Sequence, residues 1–160
     1  MNFDAPQEHD LLRHSVARFF ERELPEERIR EYDRARAIPR EIWSHFAEQG
    51  WLGLAVGEEF GGSNADAMTG SVFCEELARR FPSLAMDWVL LSMTARLFQE
   101  HGTPAQQAEY LPRLVRGDFI MAFGMTEPSG GTDILGLTTR AELADGQWTV
   151  NGQKLFTTFA

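Results

Sequence analysis

The feature that most constrains this chain is a change of rhythm near Gly117. Before it, apolar residues recur three and four positions apart, the spacing that lines one face of a helix. After it, short runs rich in Thr, Val, Phe and Gly read as strands. The expectation is an α+β fold. An all-α N-terminal domain covers residues 1–117, and the first strands of a β-barrel or β-sandwich domain cover 118–160.

Proline and glycine punctuate the helical part. Asp4 is the expected cap of a first helix from about Pro6 to Glu23, with Leu12, Val16, Phe19 and Phe20 on its apolar face. A charged second segment runs from Glu26 to Arg36. A third helix opens at Pro39, carries Ile42, Trp43, Phe46 and Ala47, and stops at Gly50. The glycine-rich stretch WLGLAVGEEFGGSNAD must be a loop. A fourth helix fits Ala65 to Arg79. A fifth fits Ser83 to Glu100, with Val89, Leu90, Met93 and Leu97 along one side. Thr103 caps a sixth that buries Tyr110, Leu111 and Leu114. Strand signals span Phe119 to Met125, Leu137 to Leu143 and Gln147 to Thr158, with Asp145-Gly146 as a hairpin turn. The last stretch is apolar up to Ala160, which reads as a truncated product or a segment of a longer protein.

Composition excludes some functions. Twelve Phe, four Trp and a 43% hydrophobic share supply enough bulk for a packed core. Acidic residues outnumber basic ones 24 to 15, which disfavours nucleic acid as a partner. A single cysteine, Cys74, rules out an internal disulfide and fits a reducing compartment. No stretch is long and apolar enough to span a membrane, and MNFDAPQEHD does not read as a secretory leader. The expectation is a cytoplasmic protein.

Familiar catalytic signatures are missing. The sequence has no GxxxxGK[ST] loop, no GxGxxG turn and no HExxH pair, so no metal is expected. His9 and His14 read as surface residues, and Cys74 as a buried structural thiol. The pairs Glu58-Glu59 and Glu75-Glu76 read as solvated charge, because sequence neighbours point apart. The segment MAFGMTEPSGGTD, from Met121 to Asp133, stands out. Its small residues let backbone N–H groups approach a ligand, and its Thr hydroxyls both donate and accept. Phe123 and Met125 add apolar surface. Taken alone, these residues fit either a flat-ring site or a plain turn after a strand.

TEPSGGTD resembles the TEPGAGSD signature of the acyl-CoA dehydrogenase family. Val150 to Thr158, VNGQKLFTT, is similar to that family's INGxKxWIT stretch, and Thr138 to Glu142 to its TxA strand. Trp51 to Leu54 and Glu58 to Gly62 resemble its G…PEEFGG stretch, with Gly57 where Pro is usual. The likeness covers nearly the whole chain, in order.

The resemblance implies an N-terminal helical domain, a middle β domain and a C-terminal helical domain. It implies FAD as cofactor and an acyl-CoA substrate, whose α-proton goes to a carboxylate base and whose β-hydrogen goes to the flavin as hydride. It also implies electron transfer to an electron-transfer flavoprotein and assembly into a homotetramer. Phe123, Met125 and Thr126 would line the flavin ring, with Phe156, Thr157 and Thr158 against it. Thr132 would contact the CoA side of the substrate. Phe156 stands in place of Trp, Ser129-Gly130 reverses the usual order of bulk, and Thr158-Phe159-Ala160 departs from Thr-Asn-Ala. The base belongs to the family's C-terminal domain, so no catalytic residue is expected in this chain, and alone it should neither turn over substrate nor hold FAD tightly. The alternatives are an acyl-CoA oxidase, a nitroalkane-oxidising flavoenzyme, or a non-catalytic truncated product or interaction module with this fold.

Overall fold

The computed structural model describes residues 6–159. The expected cap Asp4 lies outside them. The chain divides into two compact units, the first ending at Ile120 and the second starting at Met121.

The first unit holds six helices: α1 (Gln7–Glu23), α2 (Glu26–Ala35), α3 (Arg40–Glu48), α4 (Ala67–Arg80), α5 (Pro82–His101) and α6 (Pro104–Val115). Local chemistry sets their ends. The Asp66 side chain accepts from Thr69 N at 2.8 Å and starts α4. Thr103 and Gln106 form a reciprocal capping box at α6, with Gln106 N donating to Thr103 Oγ1 at 3.3 Å and Thr103 N to Gln106 Oε1 at 2.8 Å. Between α3 and α4 the chain makes two single 3-10 turns, Trp51–Gly53 and Glu58–Phe60. Gln99 on α5 braces that loop, accepting from Gly57 N at 2.8 Å and donating to Ala55 O at 3.1 Å.

The core of this unit is aromatic. Phe19, Phe46, Trp51, Phe73 and Trp88 form a chain of edge-on and tilted contacts, with centroids 4.8 to 5.5 Å apart. Trp88 Nε1 donates to Trp51 O at 2.9 Å, so the one polar atom of a buried indole is satisfied.

Several expectations need correction. The buried face of α5 is Leu84, Ala85, Trp88, Leu91, Thr94 and Ala95, whereas Val89 and Met93 are each 38% exposed. This helix is apolar around most of its circumference, so periodicity did not select the packed side. His9 is buried, with Nε2 3.2 Å from Thr69 Oγ1, while His14 is exposed as expected. Cys74 is half-buried rather than buried. Glu76 is not solvated: it is buried against Arg13 at 2.8 Å and Arg80 at 2.8 Å, with Glu75 also on Arg13 at 3.2 Å. One guanidinium reaching across from α1 gathers two carboxylates that adjacency alone would separate.

Among the described residues of the second unit two strands form, β1 (Arg140–Ala144) and β2 (Gln147–Asn151), paired antiparallel. Asp145 and Gly146, at φ 50 and 76, make the hairpin turn expected for two residues with positive φ. Ala141 pairs with Val150 and Leu143 with Trp148, which puts the apolar residues on one face of the ribbon. Phe119 to Met125 forms no strand, and the other two expected strands are shorter than their sequence signals. A strand exists only where a neighbour pairs with its backbone. Among the described residues 119–125 have no such ladder, although their β-propensity is high.

Candidate functional site

The segment singled out in the sequence folds as a closed turn. Glu127 N donates to Gly130 O at 2.9 Å, and Gly130 N returns a bond to Glu127 O at 3.0 Å. Pro128 sits second in this four-residue turn, where its fixed φ is favoured. Gly130 has φ 148, a conformation that side-chain-bearing residues rarely adopt, so glycine suits this position.

Two other glycines set the approach of neighbouring segments. A Cβ on Gly131 would lie 2.8 Å from Thr126 Oγ1 and 3.1 Å from its Cγ2, so the Thr126 side chain rests on bare backbone. A Cβ on Gly124 would lie 3.2 Å from Thr157 Oγ1 and 3.2 Å from Lys154 Cγ. Leu155 N donates to Thr126 O at 2.8 Å. The runs 124–126 and 154–157 therefore lie side by side, and Thr126 and Thr157 belong to one local surface.

Exposure separates the remaining candidates. Met125 is 41% exposed and Phe156 is 90% exposed, while Phe123, Thr126, Thr157 and Thr158 are half-buried. Phe156 also holds φ 55, an uncommon and costly conformation for an aromatic residue. Thr132 is exposed, on the loop beyond Gly131.

The sequence reading missed Glu127. It is only 2% exposed, inside a turn of otherwise exposed residues. Its Oε2 accepts from Thr138 N at 2.6 Å and Thr138 Oγ1 at 2.8 Å, and its Oε1 from Thr139 N at 3.0 Å and Lys154 Nζ at 2.8 Å. The Lys154 ammonium first, then the Thr139 and Thr138 donors, hold this carboxyl far below the usual carboxylate range. A sequence signal for the pair exists: Lys154 is the one lysine in a chain with fourteen arginines.

A separate cleft of about 410 Å³ lies in the helical unit, lined by Ser15, Arg18, Phe19, Arg22, Glu23, His45, Glu48 and Gln49, and holds none of the expected site residues. Among the described residues no cluster of His, Cys, Asp or Glu could hold a metal ion.

Comparison with known proteins bears on this geometry. Residues 6–118 match the model of the acyl-CoA dehydrogenase N-terminal domain. The short-chain-specific acyl-CoA dehydrogenase of Clostridium acetobutylicum is 33% identical over 162 residues, covering 99% of this chain and 42% of that protein. The structure of an acyl-CoA dehydrogenase from Geobacillus kaustophilus matches with TM-score 0.86 and 31% identity, over 98% of this chain and 41% of that one. A glutaryl-CoA dehydrogenase from Mycobacterium smegmatis, solved in complex with FADH2, matches with TM-score 0.89 and 25% identity, over 96% of this chain and 39% of that one. The chain thus spans about two fifths or less of the length of the curated relatives it matches. Its six helices and two-stranded ribbon are the helical domain and the start of the β domain of such enzymes. On the family match and these likenesses together, the chain belongs to the acyl-CoA dehydrogenase family.

Proposed function

We propose that this chain contributes the flavin-facing wall of an FAD-dependent acyl-CoA dehydrogenase. The observation that carries the reading is the surface shared by Thr126 and Thr157. Two hydroxyl-bearing runs lie alongside each other, glycine keeps the backbone low at Gly124 and Gly131, and Met125 and Phe156 stand exposed beside the hydroxyls. That combination suits an isoalloxazine, which needs apolar cover on its face and a few donors at its polar edge. Phe123, Met125 and Phe156 cover the ring, and Thr126, Thr157 and Thr158 donate to its edge. Thr132 faces the CoA portion of the substrate. Bound FAD supplies the two-electron acceptor for α,β-dehydrogenation of an acyl-CoA thioester.

The carboxylate base is not assigned to any residue of this chain. Catalysis by the whole protein, transfer of electrons to an electron-transfer flavoprotein and homo-oligomeric assembly are part of the same proposal.

The test is a titration of the chain against FAD, followed by flavin fluorescence and visible circular dichroism. Wild type should perturb the flavin signal weakly and lose the cofactor on gel filtration. Gly131→Ala, which pushes on Thr126, should weaken binding about tenfold, equivalent to about 1.4 kcal/mol. No perturbation of flavin by a large excess of folded wild type would overturn the proposal.

A further inference from the structure

We infer that Glu127 and Lys154 are positioning residues that set the flavin-facing edge through Met125 and Thr126, an inference that rests on the flavin reading above. The pair does more than neutralise charge. Lys154 Nζ bridges two acceptors, Glu127 Oε1 at 2.8 Å and the Met125 carbonyl at 3.1 Å. The next carbonyl, Thr126 O, accepts from Leu155 N at 2.8 Å. Two successive carbonyls are thus tied to two successive residues of the 154–155 run, which fixes the peptide planes on both sides of Thr126.

Glu127 extends the clasp to a third segment. Three of its four accepted bonds tie Thr138 and Thr139, at the entry to β1, to the carboxylate that also holds Lys154. An ionised carboxylate offers about four lone-pair sites, so the group is saturated. It has no spare capacity for a ligand and acts only through what it holds.

The residue type supports the same reading. The chain meets its need for cations with arginine everywhere else, and uses lysine once, here. A guanidinium spreads five donors in a planar fork, whereas an ammonium is a compact donor that fits between one carbonyl and one carboxylate oxygen. A site that needed only a positive charge would accept either.

The single lysine also makes the experiment clean. In the 160-residue chain, an amine-reactive acylating reagent has Lys154 and the N-terminus as its amine targets. The rate at Lys154, read by peptide mass spectrometry, should rise at least about tenfold in Glu127→Gln. Equal rates would mean that the clasp is not closed in solution and would overturn the inference. The second arm is a titration with FMN, read on backbone amides by NMR. Lys154→Met should weaken FMN binding at least about tenfold and remove the shifts at Thr126 and Thr157, with the helical unit unmoved. Lys154→Arg should restore part of the affinity, with an altered Thr126 shift.

Wild-type affinity and an unchanged shift pattern in Lys154→Met would overturn the positioning role and leave the flavin reading standing. So would a Lys154→Met chain whose second unit unfolds, if Lys154→Arg then matches wild type in every respect, because the pair would be purely structural. Absence of any FMN shift in wild type would defeat the flavin reading itself, and this inference with it.

Discussion

Replacing Trp88 by Phe tests whether the middle of α5 is core. Trp88 is 4% exposed, its ring lies 4.8 Å from Phe73, and its Nε1 holds Trp51 O at 2.9 Å. Phenylalanine keeps one ring and loses the other. The lost burial and the gap left behind cost about 1–2 kcal/mol. The Trp51 carbonyl then loses its side-chain donor inside the core, which costs about 1–2 kcal/mol more. The expected destabilisation is about 2–4 kcal/mol, enough to lower a urea midpoint by about 1–2 M for a unit of this size. The control is Trp148→Phe, on a side chain 66% exposed in β2 and expected to change stability by no more than about 0.5 kcal/mol. Urea unfolding followed by far-UV circular dichroism, which reports mainly the helices, measures both. Equal, small effects for the two substitutions would refute the reasoning.

Two further substitutions probe other elements. Gly62→Ala should cost about 3 kcal/mol or more, measured by thermal unfolding, because its Cβ would lie 2.1 Å from Val56 O and 2.6 Å from Gly53 O, both backbone atoms that already accept hydrogen bonds. Asp87 on α5 is half-buried, and burial pushes its carboxyl up from the ordinary 3.8 to about 6. Its protonated form is favoured in the folded state, so its contribution to stability is fully present below about pH 4 and is lost as pH rises to about 6. The full shift corresponds to about 3 kcal/mol, and solvent screening at a half-exposed group reduces this to about 1 kcal/mol. Asp87→Asn should therefore stabilise the chain by about 1 kcal/mol at neutral pH and flatten the pH profile between about 4 and 6, as measured by urea midpoints across that window.

How much of this was legible in the sequence depends on how local each determinant is. The six helices were, because Pro25, Pro39, Pro82, Pro104 and the glycines after α3, α5 and α6 act within one turn of where they stand. The face of α5 was not. Met86, Val89 and Met93 are as apolar as Leu84, Trp88 and Leu91, and only the neighbouring helices decide which set is covered. The run from Phe119 to Met125 has the composition of a strand, but a ladder needs a second backbone. His9 and Glu76 owe their burial to Thr69 and Arg13, each about sixty residues distant along the chain. Within the candidate site, the threonines and aromatics were named through family likeness. Glu127 was not, since an acid that opens a Pro-Ser-Gly turn reads as solvated. Its partners, Thr138, Thr139 and Lys154, come together only when three segments meet.

A flavin site in this chain requires that an isoalloxazine lie against the surface shared by Thr126 and Thr157. Intermolecular nuclear Overhauser effects between FMN and the chain measure this directly. The expected result is contact of the ring protons with the Met125 methyl, the Phe156 ring and the Thr157 methyl. Contacts confined to the α1–α3 cleft, or none at the 123–126 and 156–158 runs, would contradict it.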